Sequence, residues 1–125
     1  MLDQATPVAF VSVADRAQGR AFYEGVLGIP HESDDDFGDF HRFANGAMLR
    51  LTPMPGFTAG PHPVVGWEVA DIRATAADLK AKGITLIIYE GMGQDADGIW
   101  NAPDGRAKVG FFADPFGNIL SIAQH

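Results

Sequence analysis

The sequence has no cysteine, which rules out both a disulfide framework and a thiolate metal site. It is short of positive charge: nine Lys and Arg stand against sixteen Asp and Glu, for a formal net charge of −7. Proteins that bind nucleic acid present basic patches to the phosphate backbone, so no nucleic-acid partner is expected. Long apolar runs are also missing, and none approaches the roughly 20 residues that a membrane-spanning helix needs. The first seven residues carry an early acid and no basic flank, unlike a secretory signal. The expectation is a cytoplasmic protein with no membrane partner. An acidic surface of this kind favours solubility and attracts cationic small molecules.

What is present is enough for one compact domain: 125 residues with 46% hydrophobic content. The order within it is set by a phrase that occurs twice. Val13-Ala14-Asp15 ends the apolar stretch 8–13, and Val69-Ala70-Asp71 ends the apolar stretch 64–69. Each Asp is placed to accept from the free N–H groups at the start of a helix. The first helical pattern aligns Phe22, Tyr23, Val26 and Leu27 on one stripe and the second aligns Ile72, Ala76 and Leu79, while Gly28 and Gly83 close them. After the first helix come a polar edge strand or loop at 31–36, an alternating stretch at 37–44, a hairpin signal at Asn45-Gly46 and a returning strand at 47–52. After the second come a strand at 85–89, a glycine-rich stretch at 91–98 expected to form a flexible flap, and strands at 107–113 and 119–123. Residues 54–63, with three prolines and two glycines, form a linker. The class is therefore α+β: one domain of two tandem βαβββ modules, 1–53 and 64–125, a repeat of the kind that marks a duplicated unit.

Val13-Ala14-Asp15 with Ala21-Phe22-Tyr23 and Val26-Leu27-Gly28-Ile29, then Val69-Ala70-Asp71-Ile72 and the ending Asp114-Pro115-Phe116-Gly117-Asn118-Ile119, resemble the vicinal oxygen chelate superfamily. This group contains glyoxalase I, bleomycin-resistance proteins and extradiol dioxygenases. The resemblance covers nearly the whole chain. It implies paired modules whose curved mixed sheets enclose a cavity, commonly completed by a second subunit, so a homodimer is expected. One fold here hosts several chemistries, and some members only bind.

The resemblance also implies four inward metal-ligand positions in members that catalyse. They fall at Val8, seven residues before Asp15; at Val64, seven before Asp71; at Arg50; and at Ser121, seven after Asp114. None offers the imidazole or carboxylate that a hard or borderline divalent ion needs, so no metal and no other cofactor is expected at the inherited site. His31, His41, His62 and His125 lie on loops, edge strands or the last residue and read as solvated. Asp34-Asp35-Asp36 lacks the ligand spacing of a calcium loop and reads as a solvated turn.

Strand alternation sends Phe10 and Ser12 to the side of Val8, Met48 and Thr52 to the side of Arg50, and Gly66 and Glu68 to the side of Val64. Trp67, on the opposite parity, belongs under the helix. With Ser121, and with Trp100 and Phe112 as aromatic walls, Phe10, Ser12, Met48, Arg50 and Glu68 make a candidate ligand-binding set: mostly apolar, with one cation and one anion. Arg50 could take a ligand carboxylate or simply pair with Glu68. The first functional reading is a metal-free binder of a small organic, cationic or aromatic ligand, like the bleomycin-resistance branch. Alternatives are a metal-independent lyase or isomerase with Glu68 as base and Arg50 as oxyanion stabiliser, and a metal enzyme with displaced ligands. Whether the protein is an enzyme stays open at this level.

Overall fold

A computed structural model describes residues 1–125, which form two compact units, Met1–Thr58 and Ala59–His125. The boundary falls inside the proline-rich stretch 54–63. In the first unit β1 (Val8–Val13) leads into α1 (Arg16–Arg20), followed by β2 (His31–Asp35), β3 (Gly38–Arg42) and β4 (Met48–Pro53). The sheet order is β1-β4-β3-β2, with β1 parallel to β4 and the other pairs antiparallel. In the second unit β5 (Pro63–Glu68), α2 (Ile72–Ala81), β6 (Trp100–Asn101), β7 (Lys108–Ala113) and β8 (Ile119–Gln124) repeat the pattern as β5-β8-β7-β6. Two four-stranded mixed sheets, each with a helix after its first strand, are the α+β double module that the repeat implies.

The doubled Asp acts as the sequence demands. Gln18 N donates to Asp15 Oδ1 at 2.8 Å, and Arg73 N and Ala74 N both donate to Asp71 Oδ1 at 3.1 Å. Gly28 and Gly83 take the left-handed φ of 75° and 85° that ends each helix. The first helix does not stay α-helical: Ala21–Val26 forms a π-helical turn in which Leu27 N reaches back to Phe22 O at 2.9 Å. This widening still leaves Phe22 and Tyr23 buried against the sheet with Val11, Val13, Leu49 and Leu51. In the second unit Ile72 and Leu79 of α2 are buried with Phe112, Leu120 and Ile122.

Three local expectations change. At the β3–β4 connection Gly46 alone has positive φ, at 92°, and the turn spans Phe43 to Gly46 with Gly46 N donating to Phe43 O; Asn45 instead accepts from Ala47 N through its side chain. Residues 85–89 are not a strand. Their one ladder-like bond is Ile87 N to Phe111 O at 2.7 Å, and β6 takes the other end of the same β7 edge, Trp100 opposite Val109 and Asn101 opposite Lys108. The glycine-rich stretch 91–98 is tied down rather than a free flap. Gln94 donates to Ile87 O and Gly98 O and accepts from Tyr89 N, while Asp95 accepts from Asp97 N and Ile99 N and pairs with Arg73 of α2. No helix is long and apolar enough to cross a membrane.

Candidate functional site

Each sheet has one face under its helix and one open face, and the register decides which side chains stand on the open one. In the first unit Phe10 of β1, Arg50 of β4 and Phe40 of β3 lie side by side in one cross-strand row. The guanidinium carbon of Arg50 sits 5.8 Å from the Phe10 ring centroid and 5.0 Å from that of Phe40. The cation is thus held by two aromatic faces, an arrangement that suits the planar, weakly hydrated guanidinium better than the compact ammonium of lysine. Its Nε is buried and makes no hydrogen bond. Val8 is paired with Met48, and Ser12 with Thr52, on the same face. Phe10 is 65% exposed and Val8 40%.

In the second unit Ser121 stands opposite Gly66 on one side and Phe111 on the other, so these three share the open face. A Cβ at Gly66 would lie 2.6 Å from Ser121 Oγ, so the hydroxyl occupies the space a side chain there would need. Trp100 joins this face from the edge, opposite Val109. Glu68, the candidate base, has a 75% exposed side chain whose Oε1 lies 3.4 Å from His125 Nδ1.

Phe112 is a correction. It is 2% exposed and its ring stacks on Trp67 at 6.3 Å, beneath the helix as Trp67 was expected to be. The antiparallel register pairs Phe112 with Leu120 and Phe111 with Ser121, so the aromatic on the open face is Phe111, which meets Tyr89 edge to face at 5.7 Å. Phe40 was also missed, although the alternation through Arg50 would have found it once β3 was paired with β4. A second correction concerns His41, which is fully buried rather than solvated. Its ring stands edge to face against His31 at 5.4 Å on the helix side of the first sheet.

The side chains at the four positions that the resemblance assigns to a divalent metal are a poor donor set for one. Val8 and Val64 have no donor atom, Ser121 has a neutral hydroxyl, and Arg50 carries a fixed positive charge.

No family model and no curated protein matches the sequence. Solved structures do match in fold. The chain is similar to a glyoxalase/bleomycin resistance protein/dioxygenase superfamily member from Sphaerobacter thermophilus, at 18% identity over 100% of both chains and a TM-score of 0.75. It is also similar to the glyoxalase family protein from Enterococcus faecalis, at 17% identity over 98% of this chain and 99% of that one, TM-score 0.71. An integron cassette protein from the mobile metagenome of a Halifax Harbour sewage outfall superposes with a TM-score of 0.73, at 19% identity over 98% and 99% of the two chains. At these identities the likeness establishes the fold: the chain has the architecture of the glyoxalase and bleomycin-resistance structures, as the vicinal oxygen chelate resemblance implies.

Proposed function

We propose that this protein, built on the fold of the glyoxalase and bleomycin-resistance structures, binds a small organic molecule on its open sheet face without a metal at the inherited positions. The observation that carries the reading is Arg50, clamped between Phe10 and Phe40 with an unmade Nε hydrogen bond and no acid of its own unit beside it. A pre-oriented guanidinium flanked by aromatic and apolar surface matches a ligand with a carboxylate or enolate at one end and a planar or apolar body. Phe10, Val8 and Met48 supply the apolar contact; Ser12 and Thr52 supply hydroxyls. The acidic chain as a whole would favour a cation, but the charge within this row is positive, and the nearest charge selects the handle.

The test is a thermal-shift and calorimetric screen of aromatic and aliphatic carboxylates alongside cationic aromatics. A carboxylate hit that binds the native chain should lose at least about tenfold in affinity in Arg50→Lys, since lysine keeps the charge and loses the fork and the stacking. Retained affinity in Arg50→Lys, or hits confined to cations, would reject the assignment.

A further inference from the structure

We propose that the helix-side face of the first sheet carries a site for a borderline divalent transition-metal ion such as Zn²⁺, held by His31 and Asp34 of β2 and Asp39 of β3. The site is separate from the four positions discussed above, which lie on strands β1, β4, β5 and β8. It does not rest on the ligand-binding reading.

The geometry begins with a β-bulge. On a regular strand His31 and Asp34, three residues apart, would point to opposite faces. The β2–β3 register shifts between His31 and Ser33, so His31 pairs with His41 and Asp34 with Asp39. Both therefore share the face of His41 and Asp39, and bulges are a common device for re-aiming a side chain at a site. The result places His31 Nε2 at 3.1 Å from Asp34 Oδ2 and 3.9 Å from Asp39 Oδ1, with one donor atom from each of the three within 4.8 Å of the others. Ligand atoms at about 2.1 Å from a tetrahedral ion stand roughly 3.4 Å apart, so the three need only small adjustments to close on one.

Two further observations call for a cation here. Asp34 and Asp39 are directly opposed on an antiparallel pair, a like-charge placement that Arg16, paired with Asp39, answers in part and a bound ion would answer further. In addition His41, fully buried, has neither ring nitrogen hydrogen-bonded, its Nε2 standing 3.9 Å from Glu24 Oε2, and its ring leans edge to face on His31. Imidazole with two carboxylates suits a borderline ion better than calcium. Asp34 and Asp39 also line a recess with Arg16 and Arg20, which gives the ion a path from solvent. Arg16 limits the affinity. It already donates to both oxygens of Asp39 at 3.1 Å, and its charge opposes the ion, so binding should be micromolar rather than tighter.

The experiment is isothermal titration of the full chain with Zn²⁺, together with visible absorption on titration with Co²⁺. One equivalent should bind in the micromolar range, with Co²⁺ d–d bands, and His31→Gln and Asp34→Asn should each weaken it by at least about tenfold. His62→Gln, an exposed histidine of the second unit, should leave it unchanged. Asp34 has a 51% exposed side chain on an edge strand, so Asp34→Asn keeps the fold and decides the matter even if His31→Gln does not. Binding that survives Asp34→Asn, or no heat and no bands at millimolar metal, overturns the proposal. Open-face ligand binding should persist in both variants, so a failure of one idea is not mistaken for a failure of the other.

Discussion

His41 sets a pH dependence that is readable at the level of one residue. Its pKa is lowered from the ordinary 6.5, first by burial and next by the neighbouring His31; Glu24 and Asp39 oppose the shift and Arg20 adds to it. A base whose folded pKa lies below its unfolded value binds protons more readily when unfolded. Stability is therefore full above pH 6.5 and falls as the pH drops below it toward the folded pKa. In His41→Leu, measured by urea denaturation in EDTA, that slope should disappear. The variant should also gain about 1 kcal/mol or more at pH 5.5, because the unmade hydrogen bonds go with the ring. An unchanged slope would mean that another group titrates. The sequence placed Arg50 correctly as a cation among apolar open-face residues, because alternation along one strand is local. It misplaced His41 because the burial of a histidine depends on what the sheet lays over it.

Among the elements, the segment 85–99 shows how an edge is shared. Residues 85–89 have the β-branched composition of a strand, yet β6 occupies part of the β7 edge and Gln94 takes the groups that a ladder would have satisfied. Gln94→Ala removes three hydrogen bonds, two of them to carbonyls. It should cost about 1–3 kcal/mol in urea denaturation and speed amide exchange at Tyr89. Wild-type exchange at Tyr89 in the variant would show that the backbone, and not Gln94, orders the segment. Caps and helix ends were fully legible, since an Asp acceptor and a left-handed glycine act within four residues of themselves. The competition for the β7 edge was not, because it is decided between segments far apart in the chain.

For the whole molecule, the charges predict how stability varies with pH. Glu32 is lowered from 4.5 by its hydrogen bonds to Arg42, and Asp95 from 3.8 by Arg73. Acids with depressed folded pKa values contribute stability above their unfolded values and lose it as the pH falls toward the folded ones. A series of urea midpoints should therefore show a neutral plateau, a first decline below about pH 6.5 from His41, and a second below about pH 4.5 from these pairs. A single acid transition with no shoulder would remove His41 from the account. The net charge of −7 adds that moderate salt should raise the neutral plateau by screening self-repulsion.

The sequence by itself determined the duplicated βαβββ plan, the capped helix starts and the open-face parity of Phe10, Ser12, Met48 and Arg50. All of these follow from periods and hydrogen bonds within one element. Tertiary structure decided which aromatic of β7 faces out, because the pairing with β8 sets Phe111, not Phe112, opposite Ser121. It also decided that His31, Asp34 and Asp39 meet, because a bulge in β2 changes the parity between His31 and Asp34. A register or a bulge is a relation between two strands, and neither strand carries it alone.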